Sequence, residues 1–163
     1  MTIASYIGMV LRIMVLMADF THILATRPDF TESDREWLHH LVADWQVIAD
    51  LSFADLLLIV QDGDGNYRIV EQCRPSTVMT LRIDDAVGAL VAPEMVGELD
   101  AAMQSKTVFR STVLRAVGKS TVCNVYAPVR HDGKTLGLVV RETNMATRES
   151  NGRYESESIN AGK

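Results

Sequence analysis

The residue types able to bind or react gather between Cys73 and Arg82, where the chain reads Cys-Arg-Pro-Ser-Thr-Val-Met-Thr-Leu-Arg. Arg74 and Arg82 can each pair with a phosphate or carboxylate, and Ser76, Thr77 and Thr80 offer hydroxyls. That is binding chemistry. For turnover the chain shows no nucleophile with a base and an orienting group. Cys73 and Cys123 are the only cysteines, 50 residues apart and with no histidine beside either, so thiol catalysis would have to be assembled wholly by the fold. A redox- or metal-sensing role for the Cys73 thiol is the one reactive reading left open. His39 and His40 have no ligand partner at i+4 and no Cys/Asp cluster nearby, so they read as solvated helix histidines and no metal site is expected. Asp62-Gly-Asp-Gly65 lacks the glutamate that closes a calcium loop and reads as a turn. No glycine-rich phosphate loop with its lysine occurs, and neither does an ATP-lid motif or an acidic-flanked phosphoacceptor histidine.

Composition narrows the classes further. A chain of 163 residues with 47% hydrophobic and 23% charged content fits one globular domain with a sizeable core. A net charge of −5 and a pI near 5.3 argue against a nucleic-acid partner, since phosphate binding needs a basic face that releases counterions. Two cysteines make no disulfide framework, and a reducing cytoplasm is the expected setting.

The most apolar stretch, Ile3 to Ala18, invites a membrane reading and fails it. Its sixteen residues reach roughly 24 Å as a helix, short of the ~30 Å hydrocarbon core. Arg12 at its centre would cost about 2.5–3.5 kcal/mol on insertion. No basic residue precedes the run and no clean cleavage site follows, so it does not read as a secretory leader. Residues 1–16 are read as an apolar N-terminal extension.

The elements that must carry the binding residues centre on Trp45 to Val60. Apolar residues at 37, 38, 41, 42, 45, 48 and 49 mark one helix face, and Ser33 with Glu36 fits a capping box, predicting one helix from about Asp34 to Asp50. Leu56 to Val60 is then an unbroken apolar run ended by the Asp-Gly turn, which predicts a mid-sheet strand covered on both faces. Further strands are predicted at 67–74, at 78–83, at 108–114, and in a closing hairpin of 121–130 with 136–142 across His131-Asp-Gly-Lys134. A short helix closed off by Pro28 precedes the long one. Pro93 to Gln104 reads as a helix with Pro at its start and Glu94 at its positive end. The sum is the α+β class: an antiparallel sheet of about six strands with helices packed on it. Residues 17–145 form the domain, and the polar 146–163 read as a linker towards a downstream domain.

Three blocks of this chain, LVADWQVIADLSFADLLLIV, VEQCRPSTVMTLRIDDAVG and APVRHDGKTLGLVVRETNMATR, resemble the N-terminal GAF-like, PAS-related sensor domain of actinobacterial two-component histidine kinases. The resemblance implies a cytoplasmic, dimeric kinase in which a PAS-type sensor and a kinase core follow, with ATP used only by that core. It also implies a response regulator of the RNA-binding antiterminator type as partner, and no direct nucleic-acid or membrane contact. In GAF domains the ligand lies on the sheet face opposite the packing helix, walled here by Cys73 to Arg82. Arg74, Ser76, Thr77, Thr80 and Arg82 are therefore the candidate ligand contacts, joined by Tyr126 and Arg141 from the closing hairpin. A cyclic dinucleotide or another small ligand would be the occupant. The competing reading of each residue is structural: a solvated arginine, a packed tyrosine. Two further functions stay open, a ligand-free dimerisation domain and a thiol-dependent enzyme of the same fold.

Overall fold

A computed structural model describes residues 20–146, and the readings of residues 1–16 and of the tail beyond Ala146 lie outside them. The elements run α1 (residues 20–25), α2 (Glu32–Ala43), α3 (Trp45–Ser52), β1 (Asp55–Gln61), β2 (Tyr67–Cys73), a single 3-10 turn (Pro93–Met95), α4 (Val96–Gln104), β3 (Phe109–Val117), β4 (Ser120–His131) and β5 (Lys134–Asn144). The strands form one antiparallel sheet in the order β2-β1-β5-β4-β3.

β1 lies inside the sheet, between β2 and β5, and Asp55 to Val60 are all buried. Leu56, Leu58 and Val60 pack with Leu38, Trp45 and Ala49 from the N-terminal helices. Leu57 and Ile59 face the other way, onto Leu99 and Ala102 of α4. Side chains alternate across a strand, so a strand covered twice must be apolar at every step. The continuous run is the consequence.

The helix expected as one piece is two. Asp44 leaves helical geometry (φ −107°, ψ 16°) and separates α2 from α3. The apolar stripe is split with it: Leu38 belongs to one segment and Trp45 with Ala49 to the other, while Trp37 (47% exposed) and Ile48 (49%) are left outside the core. The capping box also lies two residues earlier than expected. Thr31 Oγ1 accepts from Asp34 N, and Asp34 accepts from Thr31 N at 2.9 Å.

Among the described residues the sheet has five strands, not six. Residues 78–83 form no ladder; residues 74–92 run as a strap over the α4 side of the sheet, with one bridge between Leu90 and Arg68. The strap's last part, Gly88 to Val91, bonds through its backbone to Tyr67 and Ile69 of β2, while the part before it is held mainly through side chains. Ser76 and Thr77 bind Asp50, Thr80 and Leu81 N bind Asp55, and Ala86 N binds Gln72. Met79 and Ile83 point outward, 88% and 86% exposed, so the weak alternation read there did not report a buried face.

The closing hairpin turns through Asp132 (φ 47°) and Gly133 (φ 78°), the positive-φ pair that a two-residue turn of this hand requires. Beyond it Gly137 sits against β1, where an added Cβ would lie 2.6 Å from Ile59 O and 3.0 Å from Val60 Cγ2. Both obstacles belong to a buried strand and cannot yield cheaply. Gly137→Ala is expected to lower stability by about 1–3 kcal/mol in urea denaturation; unchanged stability would mean that the two strands do not meet this closely.

Candidate functional site

The α4 side of the sheet carries a row of polar residues where apolar ones would be expected. Strand register sets Glu142 of β5 opposite Asn124 of β4 on one side and opposite Asp55 of β1 on the other. All three are almost fully buried, at 1%, 2% and 1% exposure. Buried charge must be paired, and the strap supplies the partner. Arg82 donates Nε (2.6 Å) and Nη2 (2.8 Å) to the two oxygens of Glu142. This two-pronged bond holds the guanidinium above its usual range.

Beside this pair opens a crevice of about 450 Å³, lined by Arg82, Glu94, Met95, Arg115, Asn124 and Glu142 among others. Its far wall is β3, an edge strand with an irregular register between Arg110 and Leu114, where no residue of β3 is paired with Asn124. Tyr126, two residues along from Asn124 on the same face, donates its hydroxyl to Glu98 Oε2 of α4 at 2.7 Å. Burial, and then the Glu98 carboxylate, push the Tyr126 hydroxyl up to about 12, so it stays protonated. Burial by itself would raise Glu98, but hydrogen bonds from Tyr126 and Ser111 and the nearby Arg115 hold it below its ordinary value.

Two atoms at this site stand out. Asn124 Oδ1 and Arg115 Nε are buried and make no hydrogen bond among the described residues. A buried polar atom left unpaired costs about 1–3 kcal/mol. Such an atom in a crevice is a recognition element in waiting.

The residues expected to bind ligand do not all meet here. Arg82 lines the crevice, and Tyr126 adjoins it through Asn124, whose Nδ2 donates to the tyrosine oxygen at 3.3 Å. Ser76, Thr77 and Thr80 are strap anchors, spent on Asp50 and Asp55. Arg74 donates to Asp84 O at 2.8 Å within the strap. Arg141 is one step out of phase with Glu142 and points to the helix side, donating to Ser52 O at 3.0 Å. Cys73 also belongs to the helix side, packed on the core there. Burial, with Asp50, Glu71 and Asp55 nearby, raises its thiol, the opposite of what a reactive thiolate needs. Asn124, Arg115 and Glu142 were not singled out from sequence. Their signal was a polar residue at an inward strand position, readable only once the inward side is known.

A family model described as the GAF domain of the histidine kinase PdtaS matches residues 20–161. The chain belongs to the PdtaS GAF domain family. Its relatives include the sensor histidine kinase PdtaS of Mycolicibacterium smegmatis, 32% identical over 135 residues, covering 81% of this chain and 27% of that protein. PdtaS of Mycobacterium tuberculosis is 32% identical over 147 residues, covering 86% of this chain and 29% of the relative. The chain thus spans less than a third of the PdtaS proteins it matches. A solved structure described as the sensor region of a sensor histidine kinase superposes with a TM-score of 0.57 at 31% identity, over 75% of this chain and 40% of the other. Fold class and family agree with the expectations from the sequence; the sheet order and the crevice show how a PdtaS-type GAF domain is built here. Among the described residues no helix is long and apolar enough to cross a membrane.

Proposed function

We propose that this chain is the sensory module of a cytoplasmic PdtaS-type two-component kinase, without catalytic activity of its own, and that a small molecule is received in the crevice beside Arg82 and Glu142. The observation that carries this is the buried row Asp55, Glu142, Asn124, whose first two carboxylates are met by polar groups of the strap. Glu142 lies two residues before the end of β5, so a change in its pairing acts at the point where the chain leaves the sheet. The kinase core of the longer protein would use ATP and pass phosphate to a response regulator, of the antiterminator type by the family resemblance. A cyclic dinucleotide is one candidate for the occupant. The domain purified without denaturation is expected to carry a small molecule in native mass spectrometry, and Arg82→Ala to lose it. A ligand-free wild-type domain, with kinase autophosphorylation indifferent to Arg82→Ala in the full-length protein, would overturn the reading.

A second reading, a dimerisation scaffold, is favoured by a different feature. α3 buries one side yet exposes Val47 (60%), Ile48 (49%) and Leu51 (76%) on the other, with Phe53 (46%) just after it. Monomeric proteins seldom leave such apolar residues grouped. Under this reading Leu51→Lys shifts a dimer to monomer in sedimentation without lowering the melting temperature. A wild-type domain that is monomeric at 100 μM or so, far above the ~1 μM regime of specific association, would remove it.

A further inference from the structure

The crevice floor has a hydrogen-bonding pattern of its own, and this inference rests on reading the crevice as a ligand site. The Tyr126 hydroxyl has one proton, and the 2.7 Å contact with Glu98 takes it. The tyrosine oxygen can then only accept from Asn124. The asparagine must present its NH2 to Tyr126, at 3.3 Å, which turns Oδ1 away as an acceptor with no donor among the described residues. Arg115 is opposite Val122, one same-face step along β4 from Asn124. Positions so related are about 7–8 Å apart, within the span of one small ring and two side chains. Nη2 of Arg115 is occupied by Glu94 O (3.2 Å) and by Glu98 (3.3 Å), and its Nε–H is unmatched. The floor atoms left wholly unmatched are therefore one acceptor and one donor.

Charge makes the choice narrower. Each arginine at the site already has its carboxylate, Arg82 with Glu142 and Arg115 with Glu98, and Glu94 is among the lining residues. A free oxyanion at the crevice floor would meet no uncompensated cation there and would crowd existing carboxylates. We infer that the crevice floor recognises a neutral amide edge, the ligand giving an N–H to Asn124 Oδ1 and taking Arg115 Nε–H on its carbonyl, as a lactam ring or a carboxamide does. A site whose buried polar atoms await such an edge rejects an analogue that lacks the N–H, because the acceptor then stays unpaired.

The test uses the 15N-labelled 163-residue chain and three probes at matched concentration: δ-valerolactam, cyclohexanone (the same ring and carbonyl without N–H) and inorganic phosphate. δ-Valerolactam is expected to shift the Asn124 side-chain NH2 and Arg115 Nε–H resonances, cyclohexanone to bind at least about tenfold more weakly, and phosphate to leave both in place. Asn124→Leu, which removes the unmet acceptor, is expected to erase the preference for lactam over ketone without lowering the melting temperature. Should that variant fail to fold, Arg115→Lys keeps a cation for Glu98 but loses the Nε–H, and the preference must again shrink. Equal response to lactam and ketone, or a response to phosphate alone, overturns the amide-edge assignment while leaving the crevice a ligand site. Silence towards all three probes overturns both, the floor atoms then being met by ordered water only.

Discussion

Arg82→Ala is expected to destabilise the domain by about 3 kcal/mol, because it removes the partner of a carboxylate that stays buried. Glu142 is 1% exposed and the Arg82 side chain 23% exposed, so the loss falls at the low end for broken buried pairs, with water reaching the guanidinium's outer edge. The two-pronged bond to Glu142 disappears, and the strap's anchors on Asp55 through Thr80 and Leu81 N are left to hold that segment alone. Replacing both charges, Arg82→Met with Glu142→Leu, is expected to recover most of the stability, since a well-packed apolar pair costs no charge burial. Chemical denaturation of the two variants checks this. A single variant as stable as the wild type would mean that the pair is not formed in solution.

Asp34→Ala should cost a similar amount, about 3 kcal/mol, by acting on three bonds at once. The Asp34 carboxylate closes the capping box of α2 on Thr31, takes the Lys134 ammonium, and lies 2.9 Å from His131 Nδ1, all at 1% exposure. It thereby joins the start of α2 to the closing hairpin, where Trp37 also stacks on His131 with ring centroids 5.1 Å apart. A lost cap costs about 1 kcal/mol and the rest is the severed ionic contact. Burial alone would raise this carboxyl, but the bonds from Lys134, His131 and Thr31 outweigh it and hold it far below the usual aspartate range. The sign follows from linkage. A lowered native pKa means that the unfolded chain binds the proton first, so the stabilisation is complete above the ordinary value of 3.8 and drains away as pH falls below it. Asp34→Asn is therefore expected to flatten the acid side of the stability profile, and its deficit against wild type to shrink towards pH 2. A constant deficit from pH 7 to pH 2 would show that Asp34 acts through shape and not charge.

Much of the fold was written in local pattern. Leu56 to Val60 announced a doubly covered strand, and the Asp132-Gly133 turn announced the closing hairpin, because burial and positive φ each demand particular residues at particular steps. The break at Asp44 was not legible, since the apolar spacing of Leu38, Leu41, Val42, Trp45 and Ala49 continues across it. The choice between Thr31 and Ser33 as cap was not legible either. Both have an acidic residue three positions on, and what selects Thr31 is that Asp34 must also reach Lys134, 100 residues away. The strand expected at 78–83 failed for a related reason: its polar groups found better partners in Asp55 and Glu142 than a ladder would have supplied.

The sequence by itself determined the α+β class, the twice-covered strand, the family and the absence of a legible catalytic set, all of which follow from periodicity, composition and motif order along the chain. The tertiary structure alone decided the candidate site. Asp55, Asn124 and Glu142 share one row only because β1, β5 and β4 pair in a particular register, and a slip of one residue would turn Glu142 to the helix side where Arg141 now points. Which polar residues meet is a property of strand pairing, and strand pairing is settled by packing both faces of the sheet at once.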